Sequence, residues 1–300
     1  MSVFRQPWVL IFVALLAGYT YKVFSNAGSV QVGATQASAA SEAATDDQSA
    51  KTQEPISVDL ASSLKLAGVS GFSIEGSESM NVSFVKGLGP DLEMQLRGEG
   101  RRFLNQGHQF ADWLRVTRGA RGVVSIRPAY RNSNGVGKVD FWSNSDQLNL
   151  EVRVPQNVES LKALKINTVS GDILLSGLNA KSLKFGVVSG DITLSDGSAE
   201  TVDIKSVSGD VSTDQFKVQV AKIKSVSGDV SLMGAADTPD YAIKTVSGDL
   251  QMDLQSPAKL GFKSLSGDLE NQWAETQDSP LKGKVNFSSL SGDAIISQIK

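Results

Sequence analysis

The sequence predicts an all-β chain folded as a parallel β-solenoid of ~19-residue coils, β-helix-like, behind an N-terminal membrane or signal helix. Three observations carry this. A Ser-Gly-Asp triplet recurs, with glycines at Gly171, Gly190, Gly209, Gly228, Gly248, Gly267 and Gly292, so that the numbering advances by 19, 19, 19, 20, 19 and 25. Apolar residues alternate with a period of two on both sides of each triplet, which is strand periodicity. The N-terminus, from Met1 to Phe24, is dominated by one apolar run.

That run, from Trp8 to Tyr21, follows Arg5 and precedes Lys22, Val23 and Phe24. It reads either as a cleaved signal peptide ending at Ser25-Asn26-Ala27 or as a short uncleaved anchor with Lys22 snorkelling. Residues 1–27 are therefore assigned to a signal peptide or signal anchor. Residues 28–56 are rich in Ala, Ser and Gln and carry almost nothing large and apolar. Such a stretch buries too little surface to offset its ordering entropy, so it reads as a flexible tether. Residues 57–155 show the same alternation less regularly, as in Leu92, Met94, Leu96 and in Leu148, Leu150, Val152, Val154. They read as irregular opening coils with an Arg-rich loop, and residues 156–300 as the regular repeats.

Within each repeat, Ile166, Phe185, Ile204, Ile223, Ile243, Phe262 and Phe287 stand five residues before the glycine. Leu164, Leu183, Val202, Ala221, Tyr241, Leu260 and Val285 stand two further back, and Ile173, Ile192, Val211, Val230, Leu250, Leu269 and Ala294 two after it. So short a unit cannot bury its own apolar face, and successive units are expected to stack, like on like, about 4.8 Å apart. The Val ahead of Ser-Gly-Asp, as in the twice-written "KSVSGDV", is expected to pack. The glycine supplies the sharp bend between the arms. Lys205, Lys224, Lys244 and Lys263, four before their glycines, form a ladder on the outer face.

The aspartates Asp172, Asp191, Asp210, Asp229, Asp249, Asp268 and Asp293 would stack into a column of like charge. Two readings stand for them. One is capping of the bend by local hydrogen bonds. The other is a calcium ladder, since hard oxygen ligands suit that ion. One Asp per turn, with no Glu in register, is sparse for the second.

Composition removes several classes. With 29 Lys plus Arg against 32 Asp plus Glu, there is no basic excess of the kind nucleic-acid binders carry. With no cysteine there is no disulfide, thiolate metal site or thiol nucleophile. His108 is the one histidine, and its neighbours offer no second ligand. No catalytic residue, metal or cofactor is expected. All ten arginines lie at or before Arg153. Arg97, Arg101, Arg102, Arg115, Arg118 and Arg121 crowd one stretch with Phe103, Phe110 and Trp113. Arginine forks suit carboxylates and phosphates. The stretch reads either as a surface for an anionic glycan, a lipid headgroup or an acidic partner, or as a solvated face.

The run "NTVSGDILL", "GVVSGDITL", "IKSVSGDVS", "IKTVSGDLQ" after "LNLEVRVPQNV" resembles the bacterial putative-adhesin family of β-strand-repeat proteins of unknown function. The resemblance spans roughly residues 57–300. It implies a right-handed, solenoid-like β fold displayed at the cell envelope, and for some members a link to envelope-stress signalling. It brings no catalytic residues. The leading expectation is a non-enzymatic, extracytoplasmic binding or structural module, periplasmic or at the surface, attached to the membrane through its N-terminal segment or secreted. Its partner would be an envelope protein, a glycan or a lipid headgroup, with self-association through the solenoid ends. The alternatives are a polysaccharide-active, lyase-like β-helix enzyme and a self-assembling scaffold.

Overall fold

The structure, a computed structural model, describes residues 56–65, 68–100, 109–119, 121–129, 147–234, 238–272 and 281–298. The chain divides into two units, Met1–Thr52 and Gln53–Lys300, and every described residue falls in the second. The expected helix at 1–27 lies outside the described residues. So does the tether, apart from Ile56, which opens the first strand.

Eighteen strands are described: β1 (Ile56–Leu64), β2 (Gly71–Lys86), β3 (Leu92–Gly100), β4 (Leu114–Arg118), β5 (Val123–Pro128), β6 (Gln147–Val154), β7 (Leu161–Ser170), β8 (Ile173–Ser176) and β9 (Asn179–Ser189), then β10 (Ile192–Ser208), β11 (Val211–Lys224), β12 (Val230–Leu232), β13 (Asp240–Lys244), β14 (Leu250–Leu254), β15 (Ala258–Lys263), β16 (Leu269–Asn271), β17 (Gly283–Ser288) and β18 (Ala294–Gln298). One four-residue helix, α1 (Phe110–Trp113), is described beside them. Among the described residues no helix is long and apolar enough to cross a membrane.

Each coil has two arms, before and after the bend, and each arm joins a parallel ladder. The first arms pair in the order β5, β2, β7, β9, β10, β11, β13, β17, β15. The second arms pair as β6, β2, β8, β10, β11, β12, β14, β18, β16. β2, β10 and β11 run through a bend and serve both ladders. At the N-terminal end the ladders close with antiparallel strands, β4 on β5, and β3 then β1 on β6.

This order corrects the expectation that successive units stack one after another. From β7 to β14 they do. The last coil in sequence, β17 with β18, instead slots between the β13/β14 coil and the β15/β16 coil. The isolated bridges Ser247 to Ser291 and Ser291 to Ser266 repeat the same order at the bend. A physical reason lies in the long last step, from Gly267 to Gly292. Its six extra residues can span up to about 20 Å, enough for the chain to pass one rung of about 4.8 Å and come back. The opening coil is treated likewise, because β2 lies between β5/β6 and β7/β8. The coil left at the C-terminal end of the stack, β15/β16, is the least covered, with Leu265 65% and Leu269 40% exposed. The cap expected from Trp273 falls within 273–280, outside the described residues.

The interior is filled as the alternation requires. Ile74, Ile166, Phe185, Ile204, Ile223, Ile243 and Phe287 are all buried in one column. Burial of such a side chain contributes roughly 1.5–3 kcal/mol. Large and small residues are matched along the next column: Tyr241 lies beside Ala221, and its hydroxyl donates to the Val218 carbonyl at 2.5 Å. A cavity of ≈ 10 Å³ between Leu194, Phe216, Ile223 and their neighbours has room for about one water.

The valine of the motif is a second correction. Val188, Val207, Val226 and Val246 are only half-buried, whereas the residue before each one points inward. That inner column is Thr168, Val187, Ser206, Ser225, Thr245 and Ser289, all buried. Most of its hydroxyls bond at the bend: Thr168 to the Ser170 carbonyl, Ser225 to the Ser227 carbonyl, Thr245 to the Gly248 carbonyl and to Ser289. Each of these hydroxyls finds an acceptor at its own bend, while Val187 fills the same column with a methyl group and the buried Ser206 Oγ makes no hydrogen bond among the described residues. The opposite bend has its own signature, a left-handed residue once per repeat at Gly177, Asp196, Gln215 and Gly234.

Candidate functional site

The bend column and the outer face of the first-arm ladder are the two places where the repeat concentrates charge. At the bend, Gly171, Gly190, Gly209, Gly228, Gly248 and Gly267 have φ between 121° and 156°. Closeness matters as much as φ. A Cβ on Gly190 would overlap the Gly171 carbonyl oxygen, and one on Gly209 the Gly190 carbonyl oxygen. Glycine therefore lets stacked bends touch backbone to backbone.

The aspartates form one hydrogen-bonded chain along the stack. The N–H of Asp191 donates to Asp172 Oδ1 at 2.9 Å, Asp210 to Asp191 at 2.8 Å, and Asp229 to Asp210 at 2.8 Å. Asp249 donates to Asp229, Asp293 to Asp249 and Asp268 to Asp293, each at 2.8 Å. The spatial order of the coils is thus written into the aspartates as well. At the other end the column becomes neutral: Asp172 donates to Asn81 Oδ1, and Asn81 Nδ2 to Asn149 Oδ1. Charge-assisted bonds to these carboxylates offset the repulsion between neighbours, which is about 1 kcal/mol at this spacing in water. Among the described residues no group of three acidic, histidine or cysteine side chains could hold a metal ion.

The second concentration is cationic. On the outer face, Lys165 stacks on Lys184, Asp203 and Lys222 in one row. In the next row, Lys205 stacks on Lys224 and Lys244, and Lys263 follows beyond Ser288. The face continues into the antiparallel end strands, where Arg127 lies opposite Arg115. All of these basic side chains are exposed except Lys224, which is half-buried. Glu75 and Asp203 are the acidic residues of the two rows. Glu75 takes Lys165 at 2.7 Å and Arg127 at 3.0 Å, and Lys165 more than any other group holds its carboxyl below the usual range. In mid-stack the balance reverses. Burial, then the nearby charges of Lys222, Lys205 and Lys244, push the Lys224 ammonium below its ordinary value, against the opposing pull of Asp203.

The arginines singled out by sequence are dispersed. Arg97 lies on β3 and pairs with Asp59 at 3.4 Å. Asp59 is held low first by its bond from Gln95, then by Arg97. Arg115 and Arg118 lie on β4, the Arg118 guanidinium packed over Gly68. Arg121 stands in the β4–β5 turn, its carbonyl accepting from Ser70 Oγ at 2.7 Å. Arg101 and Arg102 lie outside the described residues, as does His108. Of the set, Arg115 joins the basic face. Sequence reasoning found the lysines four before Gly209, Gly228, Gly248 and Gly267 but missed the row six before the motif glycine, Lys165, Lys184 and Lys222. The signal was present, since the same alternation that points Lys224 outward points Lys222 outward.

Several solved structures are similar to this chain. A putative adhesin from Bacteroides fragilis matches with 12% identity and a TM-score of 0.49, over 82% of this chain and 97% of that one. A putative lipid binding protein from Parabacteroides distasonis matches at 12% identity and TM-score 0.43, over 81% and 97%. A putative cell adhesion protein from Clostridium sporogenes matches at 12% identity and TM-score 0.38, over 81% and 100%. No curated protein matches the chain. Residues 115–299 match the family model described as Toastrack DUF4097.

Proposed function

The chain belongs to the Toastrack DUF4097 family, and on that premise we propose that it is a non-enzymatic module displayed outside the cytoplasmic membrane, a rigid stack that binds or supports other envelope material. The observation that carries the reading is the use made of the repeated polar groups. The aspartates hold coil to coil, and the Ser and Thr hydroxyls hold the bend, so the recurring chemistry is consumed by the stack. The outer faces are left as the surface on which a partner acts. The N-terminal apolar segment supplies export and attachment, and residues 28–56 the reach. We take the coil to be right-handed, as strand–crossover–strand units in parallel sheets are. A link to envelope-stress sensing fits such a display.

The absence of cysteine provides a clean test of topology. Gln251 is exposed on β14, and Gln251→Cys creates a single thiol for a membrane-impermeant maleimide. Labelling of intact cells or spheroplasts is expected. Labelling only after lysis would overturn the extracytoplasmic reading. The non-enzymatic part is checked with polygalacturonate, whose chain length should be unchanged with and without calcium.

A further inference from the structure

The basic face is a strip. In pairing order it crosses β4, β5, β2, β7, β9, β10, β11, β13, β17 and β15. That makes it on the order of 40 Å long, while two rows of alternate residues make it only about 7 Å wide. From β7 to β13 every rung carries a cation, Lys165, Lys184, Lys205, Lys222 with Lys224, and Lys244, at the rung distance of about 4.8 Å. At mid-stack, Lys205, Lys222, Lys224 and Lys244 crowd together with Asp203 as the acid beside them. Stacked like charges disfavour the fold, and a bound polyanion would neutralise them. The aspartate column borders the strip around the bend, exposed along its length.

We propose that this strip binds a linear carboxylate-bearing polysaccharide, lying along the stacking axis with successive uronate groups on successive lysine rungs. The proposal rests on the reading of the chain as an extracytoplasmic binding module and names its ligand class. A charge on every sugar suits the unbroken run of cations from β7 to β13, since one sugar ring is close to one rung in length. The narrow strip fits one polymer chain. A bilayer of anionic headgroups spreads sideways, and on this protein it would meet the row of carboxylates at the border. Lysine suits the task because point charges on flexible stems tolerate small mismatches of register.

The test uses the full chain in detergent micelles with polygalacturonate as probe and neutral dextran as control. Binding to polygalacturonate that weakens as salt rises, with none to dextran, is expected. The triple variant Lys222→Gln, Lys224→Gln, Lys244→Gln should weaken it at least about tenfold. A variant with the same charge loss off the strip, Lys162→Gln, Lys181→Gln, Lys217→Gln, should change it less than about twofold. Equal weakening by both variants would overturn the proposal by reducing it to bulk charge. So would no binding to polygalacturonate, or loss of it together with capture, dependent on Lys222, Lys224 and Lys244, by vesicles of phosphatidylglycerol and phosphatidylcholine. Each of these leaves the thiol-labelling result untouched, and labelling only after lysis would leave the binding result untouched.

Discussion

The middle of the stack and its two ends are built from the same coil but wired differently. Between β7 and β14, neighbours in space are neighbours in sequence, and each contact bridges a single repeat. At the ends, order in sequence and order in space part company. The Asp293 N–H reaches back 44 residues to Asp249, and Asp172 reaches back 91 to Asn81. A plain solenoid leaves its first and last coils covered on one side only, where they fray. Here the first and last coils are each inserted one rung inward. The β2 coil and the β17/β18 coil are thereby flanked on both sides, β1 lies at the antiparallel edge, and the exposed terminal rung at the C-terminal end, β15/β16, is an interior piece of sequence.

The largest expected effect tests that wiring. Phe287 is 2% exposed in the inserted coil and stacks on Phe262, ring centroids 5.8 Å apart, while Phe262 in the outer coil is half-buried. Phe287→Ala should cost about 3–5 kcal/mol, and Phe262→Ala about 1–2 kcal/mol. Chemical denaturation of the two variants decides it. If the coils stacked in sequence order, Phe287 would be the outer residue and the ranking would invert.

Much of the middle was legible because one unit repeats. Alternation located the arms, and the recurring glycine located the bend. The order of the end coils was not legible, for a physical reason. Every coil offers the same ladder register, so β17 fits against β13 as well as β15 would, and only the long final step hinted at a choice. The inward column was misread because Val is more apolar than Ser. The phase of the alternation, counted from Ile204 through Ser206, puts the hydroxyl inside and leaves Val207 half out. How the arginines of the stretch are placed was not legible, because closeness in sequence is not closeness in space. Arg97 and Arg115 belong to different end strands, while Arg115 and Arg127, twelve residues apart, face each other across an antiparallel pair.

A smaller effect separates middle from end along the aspartate column. Asp229 receives the Asp249 N–H, so Asp229→Ala removes an acceptor and should cost about 1–2 kcal/mol. Asp229→Asn keeps an acceptor and drops a charge from the column, and should stay within about 0.5 kcal/mol of the parent. Asp268 ends the column: it donates to Asp293, and among the described residues no N–H of a further coil reaches its carboxylate. Asp268→Ala should therefore also stay within about 0.5 kcal/mol. Thermal unfolding of the three variants provides the measurement. An equal cost for Asp229→Ala and Asp229→Asn would show that charge, not hydrogen bonding, is what the column needs.

The smallest effect compares the two electrostatic regimes of the basic face. Toward the N-terminal end, Lys165 is paired with Glu75; in mid-stack, Lys224 sits among other lysines. Glu75 titrates lower in the fold than in the unfolded chain, so its contribution is present above the ordinary value of about 4.3 and is lost as pH falls through the lower folded value. Lys224 is also lowered, but for a base the sign reverses. The fold disfavours its charged form, so a penalty stands at neutral pH and is relieved as pH rises through the folded value toward the ordinary one near about 10.4. Lys224→Met should therefore stabilise by about 0.5 kcal/mol at neutral pH, and Lys165→Met should destabilise by about as much. The first difference should shrink toward about pH 11, and the second should vanish in acid once Glu75 is protonated. Denaturation curves at neutral pH and at both extremes test this directly. A Lys224→Met variant less stable than the parent at neutral pH would mean that the lysine stem packs more than its charge repels, and the middle of the face would then be ordinary surface.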